Sequence, residues 1–142
     1  MDYRVRREKS ELDSTGYMEV GPGKYSGQHW QEGFLFIWED AFGMAEGILV
    51  KHVPNYDHFS MTDVQKDAGL KVIAEWRDIA NRLADMSPQE VHAALNLAAS
   101  YRDRLDSEVD SHRSEIAGML RELAAACSSF YEREEWVCVL GM

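Results

Sequence analysis

The chain ends on an apolar run, Glu135-Trp-Val-Cys-Val-Leu-Gly-Met142, directly after a long helical pattern. An apolar terminus needs a covering partner, because a free end of this composition would aggregate. Tyr17-Met-Glu-Val20 is the distant segment best suited to pair with it. The expected fold is therefore mainly α, a single-domain helical bundle with a small antiparallel sheet formed by the N- and C-terminal strands. Residues 1–16 are polar and read as a flexible segment, and 17–142 as the single helical domain.

Gly21-Pro22-Gly23 is a strong turn signal, with Tyr17–Val20 and Lys24-Tyr25 as the possible arms of a hairpin. Gly33 opens the most apolar run. Phe34-Leu-Phe-Ile-Trp38 alone fits a strand or the start of a helix. Its continuation through Ala41, Met44, Ala45, Ile48 and Leu49 favours a mostly buried helix, ended by Pro54, with Glu39, Gly43 and Glu46 on one narrow edge. After a loop, Thr62-x-x-Gln65 has the form of a capping box. Val64, Ala68, Val72, Trp76, Ile79, Ala80 and Leu83 follow at helical spacing. Gly69 weakens that helix by about 1 kcal/mol relative to Ala.

Ser87-Pro88-Gln89-Glu90 combines a capping serine, a proline at the first helical position and a glutamate that reaches back. From there to Ser128 there is no proline. Read literally, this is a helix of about forty residues and near 60 Å, too long for so small a domain. A break is expected near Asp106 to Ser111, where Ser and Asp can recap a new helix. Ile116, Met119, Leu120, Leu123 and Cys127 would form the inner stripe of the last segment.

Size and composition fit one domain: 142 residues, 45% apolar, with a formal net charge of -10. The charge is uneven. Residues 1–30 balance five acids with five bases, whereas 31–60 hold five acids and one base. Such a field disfavours nucleic acid and anionic membrane and favours basic partners. Two cysteines are too few for a disulfide framework, and with no signal peptide visible a reducing cytoplasm is the default. The run Phe34 to Val53 carries Glu39, Asp40, Glu46 and Lys51, which excludes a normal membrane span.

Catalytic signatures are sparse. His29, His52, His58, His92 and His112 form no zinc pattern. Glu108, His112 and Glu115 share a helical face but offer one nitrogen ligand, so a solvated charged face is the stronger reading. Asp57-His58 is the best acid–base pair, yet no nucleophile motif accompanies it. Its simpler role is loop structure, with Asp57 making an Asx turn while Tyr56 and Phe59 pack inward. Gly21-x-Gly23 lacks the remaining parts of a phosphate loop. No cofactor is expected.

The acidic groups are more suggestive, because several could share a face. Glu39, Asp40 and Glu46 lie on the first helix, and Asp103, Asp106, Glu108 and Asp110 cluster near the expected helix break. With Tyr56 or Trp38 as aromatic anchors, such carboxylates suit recognition of Arg- and Lys-rich surfaces. Tyr56, Asp57 and His58 complete the expected partner-binding set.

Four segments carry a resemblance. They are Gly33-Phe-Leu-Phe-Ile-Trp-Glu-Asp, His52-Val-Pro-Asn-Tyr-Asp-His-Phe59, Val72-Ile-Ala-Glu-Trp76 and Val137-Cys-Val-Leu-Gly-Met142. Over residues 28–142 the chain resembles small bacterial immunity proteins that neutralise polymorphic or contact-dependent growth inhibition toxins. The resemblance implies a non-catalytic protein in a tight complex with one cognate toxin domain, often a nuclease. A basic nuclease cleft and an acidic plug are complementary, and the net charge would speed association. The alternatives are a small metal- or His-dependent enzyme and a helical adaptor for a basic partner.

Overall fold

The structure, a computed structural model, describes residues 1–141; the side chains of Ser100 and of residues 103–110 are outside the described set. In chain order the elements are β1 (Val5–Arg6), β2 (Tyr17–Pro22), β3 (Leu35–Trp38), α1 (Glu39–His52), β4 (Met61–Gln65), α2 (Lys66–Arg82), α3 (Pro88–Leu95), α4 (Ala99–Tyr131) and β5 (Trp136–Leu140). Among the described residues, five strands form one antiparallel sheet in the order β1-β3-β2-β5-β4.

This corrects the expected fold class. The protein is a mixed α/β domain with a five-stranded antiparallel sheet, not a mainly α bundle with a small terminal sheet. β2 does lie beside β5, with Val20 opposite Val139, but three further strands join them. The reason is that the sheet is covered on both faces. Met18, Val20, Leu35, Ile37, Val137 and Val139 face the helices, whereas Tyr17, Phe34, Phe36, Cys138 and Leu140 form a second apolar cluster on the other face. A strand buried on both faces loses the polar–apolar alternation by which strands are recognised.

Phe34–Trp38 is resolved in this way. Leu35–Trp38 is a strand, and the helix starts only at Glu39. The apparent capping box at Thr62 is also strand. Thr62 and Val64 are buried in β4, while Gln65 caps α2 by accepting the Asp67 amide at 3.1 Å. No hairpin turns at Gly21-Pro22, because both residues lie within β2 and pair with β5.

Residues 1–16, read as a flexible segment, add β1 to the edge of the sheet beside β3. Tyr3 and Arg6 are buried, and the Arg6 guanidinium lies 5.0 Å from the centre of the Tyr17 ring.

The helices cover the inner face. Of the expected stripe, Val72, Trp76, Ile79, Ala80 and Leu83 are buried, Ala68 is partly buried and Val64 belongs to β4; Ile116, Met119, Leu120, Leu123 and Cys127 are buried on α4. The Trp76 indole donates to the Ala45 carbonyl at 3.0 Å. Arg113 donates to the carbonyls of Leu83 and Met86 at 2.6 and 2.7 Å, satisfying acceptors beyond the end of α2. Glu75 holds the end of α1 through Lys51 at 2.8 Å and His52 at 2.7 Å. Burial opposes charge on Glu75, but those two donors outweigh it and keep its carboxyl below the ordinary range.

The long helical pattern is interrupted twice, at Asn96 and by a kink at His112, one residue beyond the expected break. Ser87 caps α3 reciprocally with Glu90, each bond at 3.2 Å, and Pro88 takes the first helical position. That helix stops at Asn96, in the left-handed conformation at φ 50°. α4 then runs through Asp106–Ser111, with its non-helical dihedrals at His112, φ −127° and ψ 23°.

Candidate functional site

α1 places Glu39 in its first turn and Glu46 seven residues later, on the same face. His58, from the loop between α1 and β4, bridges them. Its Nδ1 lies 2.5 Å from Glu46 Oε1 and its Nε2 lies 2.7 Å from Glu39 Oε1. The Tyr56 hydroxyl donates to the same Glu46 oxygen at 2.6 Å. Four of the expected partner-binding residues thus meet in one hydrogen-bonded cluster.

The electrostatics follow from this arrangement. Burial disfavours a charged His58, but hydrogen bonds to Glu39 and Glu46 outweigh it, so its pKa is raised. An imidazole facing a carboxylate at each nitrogen is best satisfied as the cation, which donates from both. Burial, reinforced by the negative charge on Glu46, raises the Tyr56 pKa and keeps the phenol protonated.

Asp57 makes the expected Asx turn, accepting the Phe59 amide at 2.9 Å. Phe59 differs from expectation. It does not pack inward but is 75% exposed, and its ring meets the His58 ring edge-on with centroids 4.7 Å apart. The loop is fixed from behind by the C-terminus. The Gly141 amide donates to the Ser60 carbonyl at 2.8 Å, and a Cβ on Gly141 would lie 1.9 Å from the His58 carbonyl oxygen.

Beside the cluster lies a cleft of about 510 Å³ between α1, this loop and the α3–α4 connection. Val50 and Phe59 supply exposed apolar surface there, Glu46 and Asp57 carboxylates, and Arg102 a cation on the α4 side. Two glycines one turn apart set its depth. A Cβ at Gly47 would stand 2.1 Å from the Leu95 carbonyl oxygen, and one at Gly43 would stand 2.7 Å from the Tyr101 ring. Asn96 locks the contact by donating to the Gly47 carbonyl at 3.0 Å. Gly43 and Gly47 at i, i+4 were the available sequence signal for this approach, together with an asparagine where a helix ends. The exposure of Phe59 has no comparable signal.

The other expected residues are Asp40 and four acids of α4. Asp40 is half-buried in the first turn of α1. Asp103, Asp106, Glu108 and Asp110 are on α4, and their side chains lie outside the described residues. The Glu108, His112 and Glu115 face is described only in part, with His112 Nδ1 3.0 Å from Glu115 Oε1. Among the described residues, no three His, Cys, Asp or Glu side chains are grouped to hold a metal ion. Among the same residues, no helix is long and apolar enough to cross a membrane. Comparison with protein-family models, curated proteins and solved structures finds no match to this chain.

Proposed function

We propose that this protein is an immunity protein, acting in the cytoplasm, that docks the loop 53–60 and the adjoining cleft onto a basic, nuclease-type toxin domain and covers its active-site cleft. The observation that carries the reading is Phe59. A large aromatic side chain, 75% exposed, stands on a loop held by hydrogen bonds to two helix carboxylates. A rigid aromatic anchor beside apolar and charged groups is the usual composition of a binding hot spot. The formal charge of -10 favours a basic partner and steers its approach.

The cluster supports binding over acid–base catalysis. Both ring nitrogens of His58 face carboxylates, and Tyr56 is committed to Glu46. A general base needs a free nitrogen within reach of substrate.

The test is co-expression with the product of the adjacent gene. The expected result is that the neighbour alone is toxic, that this chain restores growth, and that the two co-purify with an affinity that falls as salt rises. A neighbour that is harmless, or that fails to bind, removes the reading.

A further inference from the structure

We infer that residues 23–33 form a hinged strap that lifts off the outer face of the sheet as a unit while the rest of the fold stays closed. The segment joins β2 to β3 and covers part of the second apolar cluster, with Tyr25 and Trp30 packed against Tyr17, Phe34, Phe36, Cys138 and Leu140 beside Leu12 and Trp38 from outside the strap. Its two ends are Gly23 at φ 80° and Gly33 at φ 85°, with Gly27 at φ 91° between them. Glycine crosses between left- and right-handed backbone at little cost, so both ends can act as hinges.

The strap is internally tied. The Gln31 side chain donates to Ser26 Oγ and to the Gln28 carbonyl, both at 2.9 Å. These bonds travel with the segment when it moves, as in a compact Ω-loop. Its ties to the sheet reach β5, β2 and β4: at the hinge the Gly23 amide donates to the Trp136 carbonyl at 2.8 Å, and the Lys24 ammonium lies 4.5 Å from the centre of the Trp136 ring. Glu19, a buried carboxylate on β2, accepts the Trp30 amide through Oε1 at 2.6 Å and meets His29 Nδ1 through Oε2 at 2.6 Å. Asp63 on β4 accepts the Tyr25 amide at 2.8 Å. The closed strap also holds Trp30 at φ 60°, an uncommon conformation for a residue with a side chain, and opening releases it. Hinges, an internally bonded segment, a local latch and a strained residue together describe a lid. Opening it would present an apolar face that the closed molecule hides.

The two cysteines read this motion directly. Cys138 lies in the cluster under the strap, whereas Cys127 lies on α4 in the main core. Both thiols are free and buried, so each reacts only when an opening exposes it, and the rate difference reports which opening is easier. The experiment is modification of the native full chain with a thiol-reactive disulfide reagent, resolved by peptide mass spectrometry. The expected result is that Cys138 reacts at least tenfold faster than Cys127. Replacing the latch histidine, His29→Ala, should raise the Cys138 rate at least threefold and leave Cys127 unchanged. A smaller ratio in the wild type, or a His29→Ala variant in which both rates rise together, shows that the segment opens only with the whole fold and overturns the proposal.

Discussion

Glu46 Oε1 sits 2.5 Å from His58 Nδ1, so a carboxylate on α1 holds the ring that supports the exposed Phe59. Expected from sequence as groups offered to a partner, Glu46 and Glu39 are instead engaged in fixing the loop. In the proposed docking their part would be to shape the loop, and the large apolar side chain that the loop exposes is Phe59.

That relationship gives a pH dependence. His58 has a raised pKa in the folded state, so its charged form is favoured by folding. The stabilisation is fully present below the unfolded value of about 6.5 and is lost as pH rises through the folded value. Chemical denaturation should show stability falling on the alkaline side of 6.5, and His58→Gln should flatten that part of the profile. The ring resonances of His58 should titrate above the ordinary histidine range. A midpoint at or below that range would show that the two carboxylates do not hold the cation.

Phe59→Ala separates binding from folding. The ring is mostly in solvent, so its removal should change stability by less than about 0.5 kcal/mol. Binding of the cognate partner should weaken by about 2 kcal/mol or more, near thirtyfold in Kd, by calorimetry or surface plasmon resonance. An unchanged affinity would move the interface away from this loop.

Gly69→Ala tests local preference against packing. Helix propensity alone makes alanine better by about 1 kcal/mol. In the structure a Cβ at this position would stand 2.1 Å from the Tyr131 hydroxyl oxygen, and that hydroxyl donates to the Val64 carbonyl at 2.9 Å. Overpacking of this kind costs about 1–3 kcal/mol, so the net change should be destabilising in urea denaturation. A more stable variant would mean that Tyr131 gives way freely.

Gly47→Ala should be the more damaging of the two. Its Cβ would meet backbone, the Leu95 and Asn96 carbonyl oxygens at 2.1 and 2.3 Å, and backbone cannot swing aside as a side chain can. The loss should reach about 3 kcal/mol or prevent folding, read from the thermal midpoint. Near-native stability would show that the α3–α4 connection is not clamped to α1.

What the sequence alone determined is whatever depends on neighbours along the chain. The capped start of α3 at Ser87, the inner stripes of α2 and α4 and the Asx turn at Asp57 each follow from spacing of a few residues. Tertiary structure alone decided the rest. Leu35–Trp38 is strand because β1 and β2 flank it and both faces are covered. Two-sided burial erases the alternation that marks a strand. Met61–Gln65 joins the sheet because β5, more than seventy residues downstream, supplies the partner. The site follows the same division. Glu39 and Glu46 are legible as one helix face, but their convergence on His58 is set by a loop that Gly141 holds from the far end of the chain. Local spacing fixes which groups share a face; only the closing of the chain on itself fixes which groups meet and which remain in water.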